Sequence, residues 1–105
     1  MKHRRTKATD IPRQVRMAVA IRDKGKCIIC GRQGISNAHY IKRSQGGLGI
    51  EENIVTLCPQ CHYEEDFGKN CKEYEQKIKK YLQNHYGSSW NEENLKYKKY
   101  NWARH

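Results

Sequence analysis

Two pairs of cysteines, Cys27-Ile28-Ile29-Cys30 and Cys58-Pro59-Gln60-Cys61, carry the strongest chemical signal in this chain of 105 residues. Each C-x-x-C presents two thiolates from a tight turn, and two such pairs can surround one tetrahedral zinc ion. Four thiolates leave no open coordination position, so a zinc held there is structural. In so short a chain its contribution to folding is large. Twenty-seven residues separate the inner cysteines, more than in a compact zinc ribbon, so the site clamps the two ends of an insert. Redox-active disulfides and unligated core thiols remain the alternatives. Cys71 has no partner in this scheme and reads as a free thiol, buried or half-buried.

The insert and its far end contain Ala38-His39-Tyr40-Ile41-Lys42-Arg43-Ser44-Gln45-Gly46-Gly47, then Glu52-Asn53-Ile54-Val55-Thr56-Leu57-Cys58, then Cys61-His62. Singly these residues say little, because a lone histidine is commonly a surface or hydrogen-bonded core residue and a lone asparagine before a strand commonly makes a turn. As a set they resemble the His-Asn-His (HNH) endonuclease family, whose ββα-metal (His-Me) finger is found in colicin nucleases, homing endonucleases and many short phage-encoded proteins. The resemblance runs from Cys27 to Asp66. His39 falls at the family's first histidine, Asn53 fourteen residues on, and His62 nine beyond that. The strings Arg-Ser-x-Gly-Gly and Asn-x-Val-x-Leu-Cys-x-x-Cys-His are specific in combination.

The resemblance implies hydrolysis of phosphodiester bonds in DNA, leaving a 3′-hydroxyl and a 5′-phosphate. That chemistry needs a base, and His39, a neutral imidazole titrating near working pH, matches that role. It also needs a divalent ion, Mg²⁺, Mn²⁺ or similar, on a non-bridging phosphate oxygen and on the leaving oxygen. His62, opening the helix of the finger, matches the ligand. Asn53 matches the middle residue, which orients the loop and so the imidazole. Asp66, four residues after His62 and on the same helix face, is a second metal ligand or a solvated helix residue among Glu64 and Glu65. Arg43 is a contact to the scissile or a neighbouring phosphate, or a plain surface residue. One position departs from the family: the residue before the base is commonly Asp or His and ligates the metal, but here it is Ala38, leaving Asp66, Asn37 or water to complete the shell.

These residues need a scaffold, and a chain with 36% apolar residues can build one small domain. The expected fold is α+β, a ββα-metal finger stapled by the four-cysteine zinc site with flanking N- and C-terminal helices. A helix is signalled from Asp10, with Ile11 and Pro12 in its first turn, apolar positions at Val15, Val19, Met17, Ala18 and Ile21, and an end at Gly25. β-prone pieces follow at Cys27-Ile28-Ile29, Ile35 to Ile41 and Ile54 to Leu57, a hairpin whose long loop contains Gly46, Gly47 and Gly49. The pattern becomes helical from Gln60 to Asp66, and again from Cys71 to His85, where Tyr74, Ile78, Tyr81 and Leu82 make an apolar stripe. The domain reading is a basic flexible arm over 1–9, a nuclease domain over 10–86 with its finger core at 27–67, and a basic, aromatic tail over 87–105.

The formal net charge is +10, and its placement is uneven. Residues 1–26 have nine Lys or Arg against two acids, residues 69–105 have nine against four, and residues 27–68 have three against five. Basic flanks attract polyanions in a salt-sensitive, sequence-independent way, or they simply keep the surface solvated. Tyr97, Tyr100 and Trp102 either stack on exposed bases or pack over the finger. No apolar stretch is long enough for a signal peptide or a membrane span, so the expectation is a cytoplasmic protein of a bacterial or phage-infected cell, with reduced cysteines. DNA is the expected partner, with phage packaging proteins beside it by resemblance to compact phage-type members. The competing reading is a non-catalytic nucleic-acid-binding or packaging accessory module, and Ala38 is the feature that lends it weight.

Overall fold

The computed structural model describes residues 4–98, with the side chains of residues 7–98. Its elements run α1 (Arg4–Thr9), α2 (Arg13–Asp23), β1 (Ile35–His39), β2 (Ile54–Leu57), α3 (Pro59–Phe67) and α4 (Cys71–Tyr86), with short 3-10 turns between and after them. The protein is a small α+β molecule in which a two-stranded antiparallel sheet and the helix that follows it form the finger. Among the described residues, no helix is long and apolar enough to cross a membrane.

The β1–β2 register explains which side chains reach which face. Ile35 lies opposite Leu57 and Ala38 opposite Val55, so β1 carries one extra residue between those pairs, a bulge around Ser36 and Asn37. Beyond the bulge the strand alternates: Ala38 joins the apolar core, while Asn37 and His39 line a surface pocket. The core consists of Ala38, Val55 and Leu57 from the sheet, Ile78 and Leu82 from α4, and Trp90 and Leu95 from the segment after it, beside Cys27, Cys58 and Cys61. The helical stripe of α4 thus delivers Ile78 and Leu82 to full burial, with Tyr74 and Tyr81 half-buried at its edges.

A buried ion pair ties α2 to the sheet. Arg22 clasps Asp23 through Nε at 2.7 Å and Nη2 at 3.0 Å, and reaches the carbonyls of Ile54 at 2.7 Å and Glu51 at 2.8 Å. Asp23 in turn accepts from the Thr56 N–H at 3.0 Å and from the Tyr81 hydroxyl. Burial works against the Arg22 charge, yet the bonds to Asp23 and Tyr86 hold the guanidinium protonated. Removing one member of such a pair costs about 3–5 kcal/mol because the other charge is left buried alone.

Several differences from the sequence expectation have local causes. The helix of residues 13–23 begins after Pro12 rather than at Asp10, and ends at Lys24, whose φ of 59° lies in the left-handed region. Met17 and Ile21 face solvent, 53% and 77% exposed, because Val19 and Arg22 take the inward face. Residues 4–9, read from sequence as part of a flexible arm, are helical, and Thr9 is buried. The reason is a docking point: the Ala8 carbonyl accepts from Gly49 at 3.1 Å, and Gly49 approaches so closely that a Cβ there would lie 1.9 Å from the Asp10 carbonyl oxygen.

The body also extends past residue 86. Trp90 donates to the Glu52 carbonyl at 2.8 Å and lies 5.7 Å, centroid to centroid, from Tyr40. The chain then pairs with the glycine loop, Leu48 N–H to Leu95 carbonyl at 2.8 Å and Tyr97 N–H to Gly46 carbonyl at 2.7 Å. Tyr97 is therefore half-buried against the finger. Tyr100 and Trp102 lie outside the described residues.

Candidate active site and metal centres

The N-terminus of α3 brings the four cysteines together. Pro59 occupies the first turn, and the Cys58 sulfur accepts from the Cys61 N–H at 3.4 Å, as the Cys27 sulfur does from the Cys30 N–H at 3.5 Å. The four Sγ atoms lie within 4.8 Å of one another. Cys30 and Cys58 stand 3.5 Å apart at sulfur, far beyond a disulfide length of about 2.0 Å and near the edge of roughly 3.8 Å expected for a tetrahedron with zinc–sulfur bonds of about 2.3 Å. All five cysteines are free thiols. Burial opposes ionisation of Cys27, but the N–H groups of Cys30, Cys58 and Ile29 outweigh it and bring the thiol down to about 7. Cys61 is pushed up by burial and by the neighbouring thiols. Four such sulfurs ionise together only around a cation, so the cluster fits a bound metal. Cys71 stands apart and is half-buried.

The second site opens one helical turn further on. A pocket of about 450 Å³ is lined by His39 and Asn37 from β1, Lys42, Arg43 and Ser44 from the turn after it, and His62, Asp66 and Phe67 from α3. His39 is 8% exposed, and its Nε2 lies 2.8 Å from the Thr9 carbonyl oxygen. A carbonyl only accepts, so Nε2 carries the proton and the neutral ring keeps its lone pair on Nδ1. Burial, then the charges of Arg43, Lys42 and His62, hold His39 below the ordinary histidine value, while the bond to Thr9 pulls the other way. The imidazole is thus neutral at physiological pH.

Asn53, the last residue of the 3-10 turn before β2, is fully buried and spans the loop that follows His39. Its Oδ1 accepts from the Ile41 N–H at 2.8 Å, its Nδ2 donates to the carbonyls of Leu48 at 2.9 Å and Ile41 at 3.2 Å, and its own carbonyl accepts from Tyr40 at 2.8 Å. Gly47 makes this clamp sterically feasible, since a Cβ there would sit 1.7 Å from the Ile41 carbonyl oxygen.

On α3, His62 Nε2 and Asp66 Oδ2 are 3.5 Å apart, and Glu65 joins them, so that one ligand atom from each lies within 4.8 Å of the others. Lys42 donates to both Glu65 and Asp66. Burial opposes the Lys42 charge, but its bonds to Asp66 and Glu65 hold it protonated. Burial pushes the Glu65 carboxyl up to about 7 against the pull of that ammonium. Asp66, less buried, is held below the usual carboxylate range by Lys42 and His62 despite its partial burial. The fit of a hard divalent cation here rests on an orphan: Glu65 Oε1 is buried without a hydrogen-bond partner among the described residues.

Residues 27–67 match the sequence model of the HNH endonuclease family. The chain is also similar to the Type IV methyl-directed restriction enzyme EcoKMcrA of Escherichia coli (strain K12), 37% identical over 60 residues that cover 48% of this chain and 22% of the relative. The chain thus spans about a fifth of that relative's length.

Within the matched segment the structure brings His39, His62 and Asp66 to one pocket and Asn53 to the loop that supports it. Arg43 lines the same pocket and pairs with Asp10. Ala38 is fully buried in the core and does not line the pocket. Asn37 does line it, and its Oδ1 is a second buried oxygen with no partner among the described residues. Two residues escaped the sequence reading. Glu65, which entered the sequence reading only as a solvated neighbour of Asp66, is 1% exposed, and Lys42 is its counter-ion. A signal existed for Glu65: it falls three residues after His62, on the face that also carries Asp66.

Proposed function

We propose that this protein is a metal-dependent endonuclease acting on DNA, with His39 as general base and a divalent ion held by His62 and Asp66. The observation that carries the reading is the hydrogen bond from His39 Nε2 to the Thr9 carbonyl at 2.8 Å, which assigns the proton-accepting lone pair to Nδ1 of a ring lining the same pocket as His62 and Asp66.

His39 takes a proton from water as the water oxygen attacks phosphorus. The bond from phosphorus to the 3′ oxygen breaks, leaving a 3′-hydroxyl once that oxygen is protonated and a 5′-phosphate on the other fragment. His62 and Asp66 would hold a divalent ion in the pocket, which would supply positive charge to offset the negative charge that develops as the bond breaks. Asn53 positions rather than reacts: its three side-chain bonds hold the loop of residues 40–48, on which Lys42 and Arg43 are carried. The four cysteines hold a structural zinc that fixes the start of α3, and with it His62. The basic flanks supply sequence-independent affinity for phosphate.

Supercoiled plasmid incubated with Mg²⁺, Mn²⁺, Ni²⁺ or EDTA tests the reading, with wild type and His39→Ala compared at equal zinc content. Metal-dependent nicking or linearisation that vanishes in His39→Ala supports it. Absence of conversion with every ion despite DNA binding sinks it and favours the non-catalytic binding module, for which the buried Ala38 is the supporting observation.

A further inference from the structure

Glu65 is a buried carboxyl of which the fold answers only one oxygen. It lies mid-helix in α3 with its side chain 0% exposed, whereas the Asp66 side chain beside it is 30% exposed. Burying an ionised carboxylate is costly unless both oxygens are answered. Oε2 receives the Lys42 ammonium, but Oε1 has no hydrogen-bond partner among the described residues. Helical spacing places His62, Glu65 and Asp66 on one face, and each offers a ligand atom within 4.8 Å of the others. A histidine nitrogen, a second carboxylate and an unanswered buried oxygen together make a donor set for a small divalent cation.

We infer that Glu65 is the third protein ligand of the divalent ion, through Oε1, supplying from the helix what Ala38 cannot supply from the strand. This rests on His62 and Asp66 as ligands in the function proposed above. Lys42, in contact with both carboxylates, is their counter-cation in the ion-free protein and competes with the divalent ion for them.

Mn²⁺ titration of zinc-loaded protein, followed by the paramagnetic resonance signal of free Mn²⁺, tests the inference without measuring cleavage, since Mn²⁺ prefers oxygen and nitrogen donors to thiolates. Wild type and His39→Ala are expected to bind Mn²⁺ alike, and Glu65→Gln at least about tenfold more weakly. Wild-type affinity in Glu65→Gln, with weakened binding in His62→Ala, overturns the inference and leaves the metal-dependent reading standing. No Mn²⁺ binding by wild type at millimolar concentration overturns both. Because Glu65→Gln also takes from Lys42 one of its two carboxylate partners, Lys42→Met/Glu65→Gln is compared with Lys42→Met, each checked by circular dichroism and zinc content. The pair is then removed as a unit: a further loss of about tenfold or more on adding Glu65→Gln supports Glu65 as a ligand, and unchanged affinity overturns it.

Discussion

Cys61 and His62 are neighbours in α3, yet they belong to two different sites. Cys61 is buried and turns toward Cys27, Cys30 and Cys58, while His62 is half-buried and turns toward Asp66 and the pocket. The first site is soft and coordinatively closed, four sulfurs within 4.8 Å of one another. The second is hard, built of one nitrogen and carboxylate oxygens, and opens onto a pocket of about 450 Å³. Adjacent helical residues diverge by roughly 100°, so a single turn of helix can serve a structural cation on one side and a reactive one on the other. A ligand set with no vacancy holds the chain together, and a set with room for substrate can do chemistry.

The largest effect should come from the closed site. Cys58→Ser is expected to abolish the cooperative fold, with loss of helical circular dichroism and of bound zinc, because the clamp joins the two ends of the insert. Mild chelation that leaves the zinc in place should leave the spectrum unchanged and, under the proposed function, stop cleavage. A folded, zinc-free Cys58→Ser would erase the contrast between the sites.

His39→Ala should lower the cleavage rate by about 10²–10⁴-fold at unchanged zinc content, with a modest fall in melting temperature because the Thr9 carbonyl loses a donor. Asn53→Ala should both destabilise the protein, by about 1–3 kcal/mol for the backbone groups of Ile41 and Leu48 left without their partner, and slow cleavage, measured by thermal melting and plasmid nicking. Slower cleavage at unchanged stability would argue that Asn53 contacts the reaction directly rather than through its loop.

The open site should also titrate. Burial and neighbouring cations depress His39, so cleavage should lose its base on the acid side with a midpoint below the ordinary histidine value of about 6.5. The stability sign is the same: a depressed histidine favours folding most above its unfolded value, and that contribution is lost as pH falls through the folded one. A midpoint above about 6.5 would assign the titrating base to another group. The smallest effect is expected from Arg43→Ala, a loss of less than about tenfold that shrinks as salt rises, because the side chain is half exposed and shares its charge with Asp10.

What could be read without coordinates were the features that depend on short spacing. The paired thiolates, the stripe that buries Ile78 and Leu82, and the strand around His39 follow from residue types two to four positions apart, and local geometry carries them into the fold. The run Glu64-Glu65-Asp66 shows where that ends, since three acids in a row carry no mark of which one the core will enclose. Met17 and Ile21 fail in the opposite sense, apolar residues left outside because Arg22 takes the inward position through carbonyls some thirty residues away.

Ligand chemistry was thus legible in the residues alone, soft sulfur in pairs and a histidine followed by carboxylates, because ligand type belongs to the side chain. Folding was needed to bring the Thr9 carbonyl to Nε2 of His39, to set Asn53 as the clamp of the loop between them in the chain, and to bury Glu65 with one oxygen unanswered. Protonation site, orientation and desolvation are set by backbone groups from distant segments, and no local pattern encodes which of those will arrive.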